Sequence, residues 1–555
     1  MIAFIIHNMA PIMFMSLVVF LLLGYPVAFA LAANGLLFAL IGIEFGLFQP
    51  EFLQALPERV YGVMNNDTLL AIPFFTFMGL VLERSGMAED LLDTIGQLFG
   101  PIRGGLAYAV IFVGALLAAT TGVVAASVIS MGLISLPIML RYGYDRRLAS
   151  GVIAASGTLA QIIPPSLVLI VMADQLGRSV GDMYNGAFVP GLVLAGLYAG
   201  YIFLVSTIWP SAAPALPDEA QTLRDDDGQT RRFSLLVMTV VAGVVGYAVI
   251  KELGIKPGAD FVVLTMTVGV ATAFILTVLH NALGLKLLSR MATQVVFVMV
   301  PPLGLIFLVL GTIFIGLATP TEGGAMGAAG AIILAVMKRR LSFDLLRQAT
   351  ESTAKLSAFV LFILVGARVF SLTFYGVDGH KWVEELLVAL PGGQVGFLIF
   401  VNILVFILAF FLDFFELAFI IVPLIGPVAD KLGIDLIWFG VMLAVNMQTS
   451  FMHPPFGFAL FYLRSVAPKL PYFDKITSKK MEPVTTEQIY WGAVPFVVIQ
   501  LIMVALVLLF PQMVMHYKSG GHSLDDKKTM EQFQNLGTPD TEAPAIDFGI
   551  APKIQ

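Results

Sequence analysis

The sequence of 555 residues contains no cysteine and few charged side chains. The absence of cysteine excludes disulfides, thiolate metal sites and thiol nucleophiles. Charged residues make up only 12% of the chain, about half of their share in soluble domains, so a soluble enzyme is not expected. The net charge of −6 gives no reason to expect a nucleic-acid partner.

Hydrophobic residues make up 58% of the chain, and the mean hydropathy is +0.91. No Asp, Glu, Lys or Arg precedes Glu44, and later uncharged gaps run from Arg103 to Arg141, Arg147 to Asp174, Asp182 to Asp218, Arg232 to Lys251, Asp260 to Lys286, Arg290 to Glu322, Glu385 to Asp413, Asp435 to Arg464 and Glu487 to Lys518. A membrane-spanning helix needs about 20 apolar residues. The gaps therefore predict an all-α polytopic protein in a lipid bilayer, with ten or more crossings.

Three polar stretches are predicted to lie outside the membrane. Residues 211–232 and 466–488 are rich in proline and charge, and the tail from 518 has the polar composition of a disordered segment. None of them is long enough for a catalytic domain. The chain also has neither a phosphate-binding G-x-x-x-x-G-K-[ST] loop nor an H-E-x-x-H pair, so ATP-driven pumping and zinc proteolysis are not expected.

The gap from Arg103 to Arg141 is too long for one crossing. Its 37 uncharged residues would form a straight helix of about 55 Å, whereas the hydrocarbon core is about 30 Å thick. The small polar residues Thr120-Thr121-Gly122 lie at its middle. We therefore predict a re-entrant hairpin whose tip is buried in protein, with one long tilted helix as the alternative.

A repeat with a fixed offset of 290 residues relates the two halves of the chain. Gly143-Tyr144-Asp145 corresponds to Gly433-Ile434-Asp435, and Pro164-Pro165 corresponds to Pro454-Pro455. Pro137 likewise corresponds to Pro427. The first loop carries Arg141, Arg146 and Arg147 with only Asp145, whereas its counterpart has Lys431 beside Asp430 and Asp435. The positive-inside rule therefore predicts that the repeats are inverted, with the first loop in the cytoplasm.

The two proline pairs predict a break in one helix of each repeat. A proline removes an amide donor and clashes with the preceding turn, so residues 156–166 and 446–457 cannot be continuous helix. Unwound backbone at membrane depth is tolerated only where it is buried in protein or lines a cavity. Paired broken helices are typical of the binding site of a secondary transporter, although each pair taken alone is equally consistent with a simple kink.

Three segments resemble the large membrane subunit of TRAP transporters, the tripartite ATP-independent periplasmic transporters. These are residues 137–171 (PIMLRYGYDRRLASGVIAASGTLAQIIPPSLVLIV), 316–327 (GLATPTEGGAMG) and 411–461, which begins FLDFFELAF and ends NMQTSFMHPPFGFALF. The resemblance implies an elevator-type fold of inverted repeats in the bacterial inner membrane, like that of the ion transporter superfamily. It also implies sodium-driven uptake of an organic acid, with a periplasmic substrate-binding protein and a small four-helix membrane subunit as partners.

The resemblance also divides the chain into functional parts. The predicted parts are N-terminal scaffold helices (1–102), a first transport repeat (103–175), connecting and scaffold helices (176–385) with an inserted helix pair near 233–285, a second transport repeat (386–465), a final loop and membrane helix (466–517) and the tail (518–555). Two motifs depart from the family pattern. The first hairpin tip of the family usually resembles Ser-Gly-Ser-Ser, whereas Thr121-Gly122-Val123-Val124 has one hydroxyl here. The second broken helix of the family usually contains Thr-Pro-Pro, and here His453 replaces the threonine. The DFFELAF and MHPPFGFALFYLR segments resemble a subgroup for 2-oxo acids, lactate or similar carboxylates.

Sodium prefers several oxygen ligands, which broken helices supply as carbonyls, hydroxyls and amides. The candidates for a first sodium site are Thr120, Thr121, Gly122, Ser156 and Gly157, and those for a second are Asp413, Asn446, Gln448 and Thr449. The candidates for substrate contacts are Thr158, Gln161, Ser166, Arg368 and His453. Any hydroxyl among them is about as well explained by a bond to the preceding helical turn. Na⁺ is the only cofactor expected, and no transition-metal site is supported.

Several charged candidates have a structural alternative. Asp413 and Glu416 interrupt an apolar stretch, where acids are usually functional, but they are also possible partners for Arg368. Glu322 follows Pro320 and is better explained as a helix cap. His453 is better explained as satisfying a buried carbonyl than as selecting substrate.

The leading hypothesis is thus a sodium-coupled transporter subunit without enzymatic activity. A stand-alone sodium- or proton-coupled symporter or exchanger of related fold is the alternative. A channel is more distant because it needs a continuous water path. An intramembrane hydrolase is more distant still, since Ser156 and Ser166 have no evident base.

Overall fold

In the computed structural model, the described residues are 2–121, 124–223, 233–255, 259–284, 288–474 and 476–517. Nine helices in these ranges are long and apolar enough to cross a membrane, or up to eleven if two bent helix pairs are counted as spans. The only strands described are a short antiparallel pair, Tyr472–Phe473 and Lys480–Met481. The all-α polytopic fold is therefore confirmed. The tail predicted to be disordered lies outside the described residues.

The N-terminal part is a succession of helices joined by short turns. They are Ile2–His7, Met9–Leu22, Val27–Glu44, the 3-10 helix Pro50–Ala55, Leu56–Met64, the 3-10 helix Asp67–Leu70, Ala71–Arg84 and Met87–Phe99. Two of these helices pack against later ones, since Val27–Glu44 contacts Phe343–Gly376 and Ala71–Arg84 contacts Pro320–Met337. The N-terminal helices and the middle of the chain therefore form one packed unit.

The first hairpin (residues 105–141) has the arms Gly105–Thr121 and Val124–Arg141. The amide of Gly104 donates to the carbonyl of Ala213 at 2.9 Å, and the amide of Asp145 donates to the carbonyl of Ala212 at 3.0 Å. The two ends of the segment therefore lie side by side. A single straight helix would place them about 55 Å apart, so the hairpin prediction is confirmed and the alternative of one long helix is wrong.

The first broken helix (residues 146–175) follows directly. It consists of Arg146–Thr158, the 3-10 turn Leu159–Gln161, irregular residues 162–166 and Leu167–Gln175. Gly143 ends the preceding hairpin with a φ of +83°, which favours glycine. The Asp145 carboxylate caps the new helix by accepting from the amides of Arg147 and Leu148 at 2.9 and 3.1 Å. These two roles explain the Gly-x-Asp part of the repeat.

The second repeat has the same order of elements. Its second hairpin (residues 393–431) consists of Gly393–Leu408, Phe414–Ile420 and Val422–Lys431, and its second broken helix (residues 436–466) consists of Leu436–Gln448, the 3-10 turn Thr449–Phe451 and Phe458–Val466. The helix start, the helix end and the 3-10 turn before each proline pair are all 290 residues apart. Gly433 has a φ of +73°, and Asp435 caps its helix as Asp145 does. Both proline pairs are joined by a cis peptide bond.

The remaining helices connect and complete the repeats. They are Val180–Ile208, the 3-10 helix Asp218–Ala220, Phe233–Glu252, Ala259–Ala282, Arg290–Phe314, Pro320–Met337, Phe343–Gly376, Gly379–Val388, Thr486–Leu509 and Gln512–Met515. Two helices, Phe233–Glu252 and Ala259–Ala282, occupy the segment predicted to be inserted, and they pack against each other.

Each repeat packs its broken helix against the helix that closes the other repeat. Gly151 of the first broken helix approaches Gly492 of helix Thr486–Leu509 so closely that a Cβ on Gly151 would lie 2.0 Å from the Gly492 carbonyl oxygen. In the reciprocal contact, a Cβ on Gly440 of the second broken helix would lie 2.8 Å from Met183 of helix Val180–Ile208. This exchange is expected of two repeats related by a two-fold axis.

Candidate functional site

The first break lies in a wholly buried part of the chain. Every residue from 148 to 173 is buried, including the irregular residues around Pro164-Pro165. The Ser166 hydroxyl donates to the Gln161 carbonyl at 2.6 Å and so closes the irregular turn. This enclosure is what unwound backbone requires at membrane depth.

The first hairpin packs onto this break through small residues. A Cβ on Gly114, in the first arm, would lie 2.5 Å from the Cβ of Ser156. A Cβ on Gly157 would lie 2.3 Å from Cγ2 of Val128, in the second arm. Ser156 and Gly157 are therefore held between the two arms. The predicted partners at the tip cannot be placed, because Gly122 and the side chains of Thr120 and Thr121 lie outside the described residues.

Two polar side chains at the first break keep an oxygen free. The hydroxyl of Ser156 and Oε1 of Gln161 are buried and have no hydrogen-bond partner among the described residues. Thr158, by contrast, donates to the carbonyl of Ala155 at 2.8 Å, the back-bond expected of a helical hydroxyl. A buried unsatisfied polar atom costs about 1–3 kcal/mol, so such atoms need an explanation.

The second break is less enclosed than the first. Met452 and His453 are buried, but Pro455 and Phe456 are exposed. The Thr449 hydroxyl donates to the carbonyl of Asn446 at 2.6 Å, which is again a back-bond. The second proline pair therefore lies at a surface that the first does not reach.

Asn446, the counterpart of Ser156, lies in a buried amide pair. Its Nδ2 atom donates to the carbonyl oxygen and to Oδ1 of Asn402 at 2.8 and 2.9 Å. Its own Oδ1 is buried and has no partner in the described part of the chain. Both equivalent positions, Ser156 and Asn446, thus present a free neutral oxygen next to a break.

Gln448 joins the two breaks directly. Its Nε2 atom donates to the hydroxyl of Thr158 at 3.2 Å. The two residues are 290 positions apart and are each the last residue of the α-helix before a break. The sequence assigned Thr158 to substrate and Gln448 to sodium, whereas the structure brings the two together.

The acidic candidates cap helices. Asp413 and Glu416 form a reciprocal capping box at the start of helix Phe414–Ile420, with both amide-to-carboxylate distances at 2.9 Å. Glu322 and Thr319 form the same arrangement at Pro320–Met337, which confirms the capping interpretation of Glu322. The sequence left open whether Asp413 or Glu416 forms an ion pair with Arg368. No such pair occurs among the described residues.

His453 lies between two phenylalanines of the second hairpin. Its ring stacks on Phe410 with centroids 4.2 Å apart and meets Phe406 edge-on at 4.3 Å. Neither ring nitrogen has a partner within the described ranges, although both are buried. The interpretation that His453 donates a hydrogen bond to a buried carbonyl is therefore wrong in the part of the chain that the structure describes.

Arg368 lines a cavity of about 250 Å³ between the long helix Phe343–Gly376 and the second hairpin. The cavity residues are Arg59, Gln175, Leu364, Ala367, Arg368, Ser371, Tyr375, Phe419 and Pro423. The two arginines come from different helices of the packed unit, while Phe419 and Pro423 belong to the second hairpin and Gln175 ends the first broken helix. A cavity lined by two arginines suits a carboxylate.

Some residues at these sites were missed from the sequence. Asn402 is the one polar side chain in the apolar stretch 395–408, and an isolated amide of this kind is a usable signal. The other residues that line the Arg368 cavity lie more than 100 positions after Arg59, so nothing local indicates its role. No cluster of three or more His, Cys, Asp or Glu side chains suited to a metal occurs in the part of the chain that the structure describes.

Comparison with known proteins gives a consistent picture. The family described as "Tripartite ATP-independent periplasmic transporter, DctM component" matches residues 14–513. The "C4-dicarboxylate TRAP transporter large permease protein DctM" of Rhodobacter capsulatus is 28% identical over 81% of this chain and 89% of that protein. The protein of the same name from Pseudomonas aeruginosa is 28% identical over 76% of this chain and 82% of its own length.

A third relative is the "2,3-diketo-L-gulonate TRAP transporter large permease protein YiaN" of Escherichia coli, 23% identical over 82% of this chain and 89% of that protein. The family match spans nearly the whole chain, and the apolar helices make it a multi-pass protein of the inner membrane. The chain therefore belongs to the family of large permease subunits, the DctM components, of tripartite ATP-independent periplasmic transporters.

Proposed function

We propose that this chain carries an organic acid into the cell in symport with sodium, as the permease of a tripartite system. In this proposal a periplasmic binding protein delivers the substrate, and a small four-helix membrane subunit completes the complex. One observation carries the proposal. Two equivalent helix breaks in the membrane interior each present a buried neutral oxygen without a partner, on Ser156 and Asn446.

Sodium would give these oxygens a partner. It is a hard cation that prefers oxygen ligands, and unwound backbone at the break supplies further carbonyls. Gly157 and Gln161 follow Ser156 within five residues, and Gln448 and Thr449 follow Asn446 within three. In the proposed arrangement the second site also includes the carboxylate of Asp413, which retains an oxygen beyond the one that accepts from Glu416.

The two-arginine cavity supports the choice of an organic acid. Arg368 and Arg59 would bind a carboxylate through charge-assisted bonds, while Ser371, Tyr375 and Gln175 would bind hydroxyl or oxo groups. The relatives are named for a C4-dicarboxylate and for 2,3-diketo-L-gulonate, which are organic acids as well. We propose a small carboxylate such as a 2-oxo acid or lactate, with His453, Thr158 and Ser166 at the breaks as further contacts.

The cavity also supports an elevator mechanism. It is lined by the packed scaffold unit on one side and by the second hairpin and the first broken helix on the other. In an elevator the hairpins and broken helices move together past the scaffold. A substrate bound at this boundary would be carried across and released where internal sodium is low.

Reconstituted uptake tests the proposal. The chain, the small subunit and the binding protein are placed in proteoliposomes under a sodium gradient, with labelled 2-oxo acids, lactate and dicarboxylates. Uptake that requires both sodium and the binding protein supports the proposal. Sodium-dependent uptake without the binding protein would instead favour a stand-alone symporter, and flux that fails to saturate would favour a channel.

An arginine substitution tests the cavity. Arg368→Gln is expected to raise the KM for the transported acid about tenfold, equivalent to about 1.4 kcal/mol. Arg347→Gln is the matched control because Arg347 lies on the same helix but is exposed and pairs with Glu351 one turn away. An unchanged KM in Arg368→Gln would remove this cavity from the substrate path.

A further inference from the structure

A buried polar cluster connects the two repeats at their centre. Thr158 accepts from Nε2 of Gln448 at 3.2 Å and from Nε2 of Gln500 at 3.5 Å. The Gln500 amide also donates to the hydroxyl of Tyr198 at 2.9 Å. We call these four residues the axial bridge. All four side chains are completely buried.

The axial bridge lies where the two-fold axis of the repeats must pass. Thr158 and Gln448 are equivalent by the 290-residue offset, and two equivalent residues can touch each other only near the axis that relates them. Tyr198 and Gln500 come from the helices that close the first and second repeats. Each repeat, taken together with the helix that closes it, therefore contributes two of the four residues.

The bridge shares a helix end with each candidate cation position. Ser156 lies two residues before Thr158, and Asn446 lies two residues before Gln448, at the ends of their helices. The amide nitrogen of Gln448 is held by Thr158, which fixes the direction of its Oε1 atom. That oxygen and Oε1 of Gln500 are buried and have no partner in the described residues. A cation that attracts Oε1 of Gln448 would therefore pull on Thr158 in the other repeat.

The surroundings of the axial bridge favour a role in coupling the two breaks over a role in stability alone. Hydrogen bonds in a low-dielectric interior are strong, and a change at one member of a buried network alters the others. An apolar pair of the same shape would fill this space without leaving two carbonyl oxygens unsatisfied. The bridge thus links two sites through a defined chain of contacts, which is the physical requirement for coupling.

We infer that the axial bridge is a positioning element through which cation occupancy at one helix break changes cation affinity at the other. The inference rests on the proposed sodium coupling and extends it. Thr158, Tyr198 and Gln500 act here through Gln448 and need not touch the ion.

The absence of natural cysteine allows a clean test. Phe411→Cys places a single thiol next to the tip of the second hairpin, where the native side chain is 58% exposed. The rate of maleimide labelling is followed as NaCl replaces KCl at constant ionic strength. The full chain is used with its small subunit, and no organic acid is added. Ser156→Ala then removes the candidate ligand hydroxyl at the first break.

The expected result is a shift that depends on the bridge. Ser156→Ala should move the sodium midpoint reported at the second hairpin about tenfold, within the usual range of coupling between sites. In a Thr158→Val background the same substitution should move it less than about twofold. Tyr198→Phe should reduce the shift partly. Ser150→Ala is the matched control, since Ser150 is buried in the same helix but bonds only to Arg146 one turn back.

The outcomes separate the inference from the proposed function. If sodium has no effect on labelling in the parent protein, sodium coupling itself fails, and the inference fails with it. If sodium acts but Ser156→Ala leaves the second hairpin unaffected, or shifts it equally with and without Thr158→Val, the bridge does not couple the breaks. Should Thr158→Val not fold, Tyr198→Phe decides, because an undiminished shift in that variant overturns the inference.

Discussion

Residues 146–161 and 436–451 adopt the same succession of α-helix and 3-10 turn, 290 positions apart, but their surroundings differ. The first break is buried throughout and is packed against its hairpin by Gly114 and Gly157. The second break reaches an exposed surface at Pro455 and is packed by the rings of Phe406 and Phe410 around His453.

The comparison shows that the residues that determine the backbone conformation of a break differ from those that determine its chemistry. The glycine, aspartate and proline positions recur in both repeats because they fix turns, caps and breaks. The side chains around them do not recur. The first break is thus enclosed throughout, whereas the second has an imidazole next to an open surface. We expect substitutions to affect the two breaks unequally.

The largest expected effect is at Gly157, whose counterpart in the second break is the buried side chain of Met447. Gly157→Ala would force its Cβ against Val128, at 2.3 Å from Cγ2 and 3.2 Å from the amide nitrogen. We expect loss of uptake and a fall of about 1–3 kcal/mol in the free energy of unfolding. Uptake and thermal unfolding of the purified complex measure both.

Gly196→Ala is the control for this substitution. Gly196 lies in a helix and has nothing within 4 Å of its Cβ position, so alanine should be neutral or slightly stabilising. Normal uptake by Gly157→Ala would show that the first break is not as tightly packed as described.

The next largest effect is expected at Asp413, which has no acidic counterpart in the first hairpin. Asn is as good a helix cap as Asp, so Asp413→Asn removes the charge and keeps the cap. If the carboxylate binds sodium, the sodium concentration for half-maximal uptake should rise tenfold or more, about 1.4 kcal/mol. Glu416→Gln, which neutralises the other acid of the capping box, is the comparison. Equal effects of the two substitutions would indicate a shared capping role and no ligand role for Asp413.

A smaller effect is expected at His453. His453→Thr restores the residue type of the related family and removes the ring that Phe406 and Phe410 enclose. We expect the preference among organic acids to change about tenfold in KM, equivalent to about 1.4 kcal/mol, with the maximal rate little affected. The panel of labelled acids measures this. If all KM values moved together, His453 would be part of the packing and would not select substrate.

The smallest effect is expected at the C-terminal ends of the two hairpins. Arg141 and its counterpart Lys431 both form ion pairs, but Arg141–Asp474 is buried, at 14% and 5% exposure, whereas Lys431–Glu384 is exposed. Asp474→Asn should lower the unfolding temperature by a few degrees, and Glu384→Gln should have almost no effect, since exposed pairs contribute about 0–1 kcal/mol. Thermal unfolding at pH 7 compares the two variants.

The pH dependence of the buried pair has a definite sign. The Arg141 guanidinium holds the pKa of Asp474 well below its usual range. The stabilisation is therefore complete above the unfolded pKa of about 3.9 and is lost as the pH falls toward the lower folded value. The difference between the native protein and Asp474→Asn should be constant near neutral pH and should disappear only in strong acid.

The backbone plan was predictable from the sequence because its determinants are local. The proline pairs, the Gly-x-Asp turns and the uncharged gaps each act within a few residues, and so the hairpins, the broken helices and the 290-residue register follow from them. The site was less predictable. Ser166 was expected to face substrate, but its hydroxyl bonds to the Gln161 carbonyl, a choice that depends on how the turn closes.

What could not be predicted is the convergence of distant side chains. Arg59 and Arg368 line one cavity although more than 300 residues separate them. Gln500 meets Thr158 because helices Arg146–Thr158 and Thr486–Leu509 pack closely at Gly151 and Gly492. Tyr198 comes from a third helix and meets Gln500. In an apolar span an isolated glutamine or tyrosine is visible in the sequence, but its partner is decided by helix packing.

The contact between Thr158 and Gln448 also bears on how such a chain can evolve. In a symmetric dimer of identical halves, the residue at the two-fold axis meets its own copy, so both sides must carry the same group. Two threonines or two glutamines at this point would each offer the same donors and acceptors to the other. Joining the halves into one gene removes that restriction. A hydroxyl on one side and a carboxamide on the other form a directional pair that two identical halves cannot have.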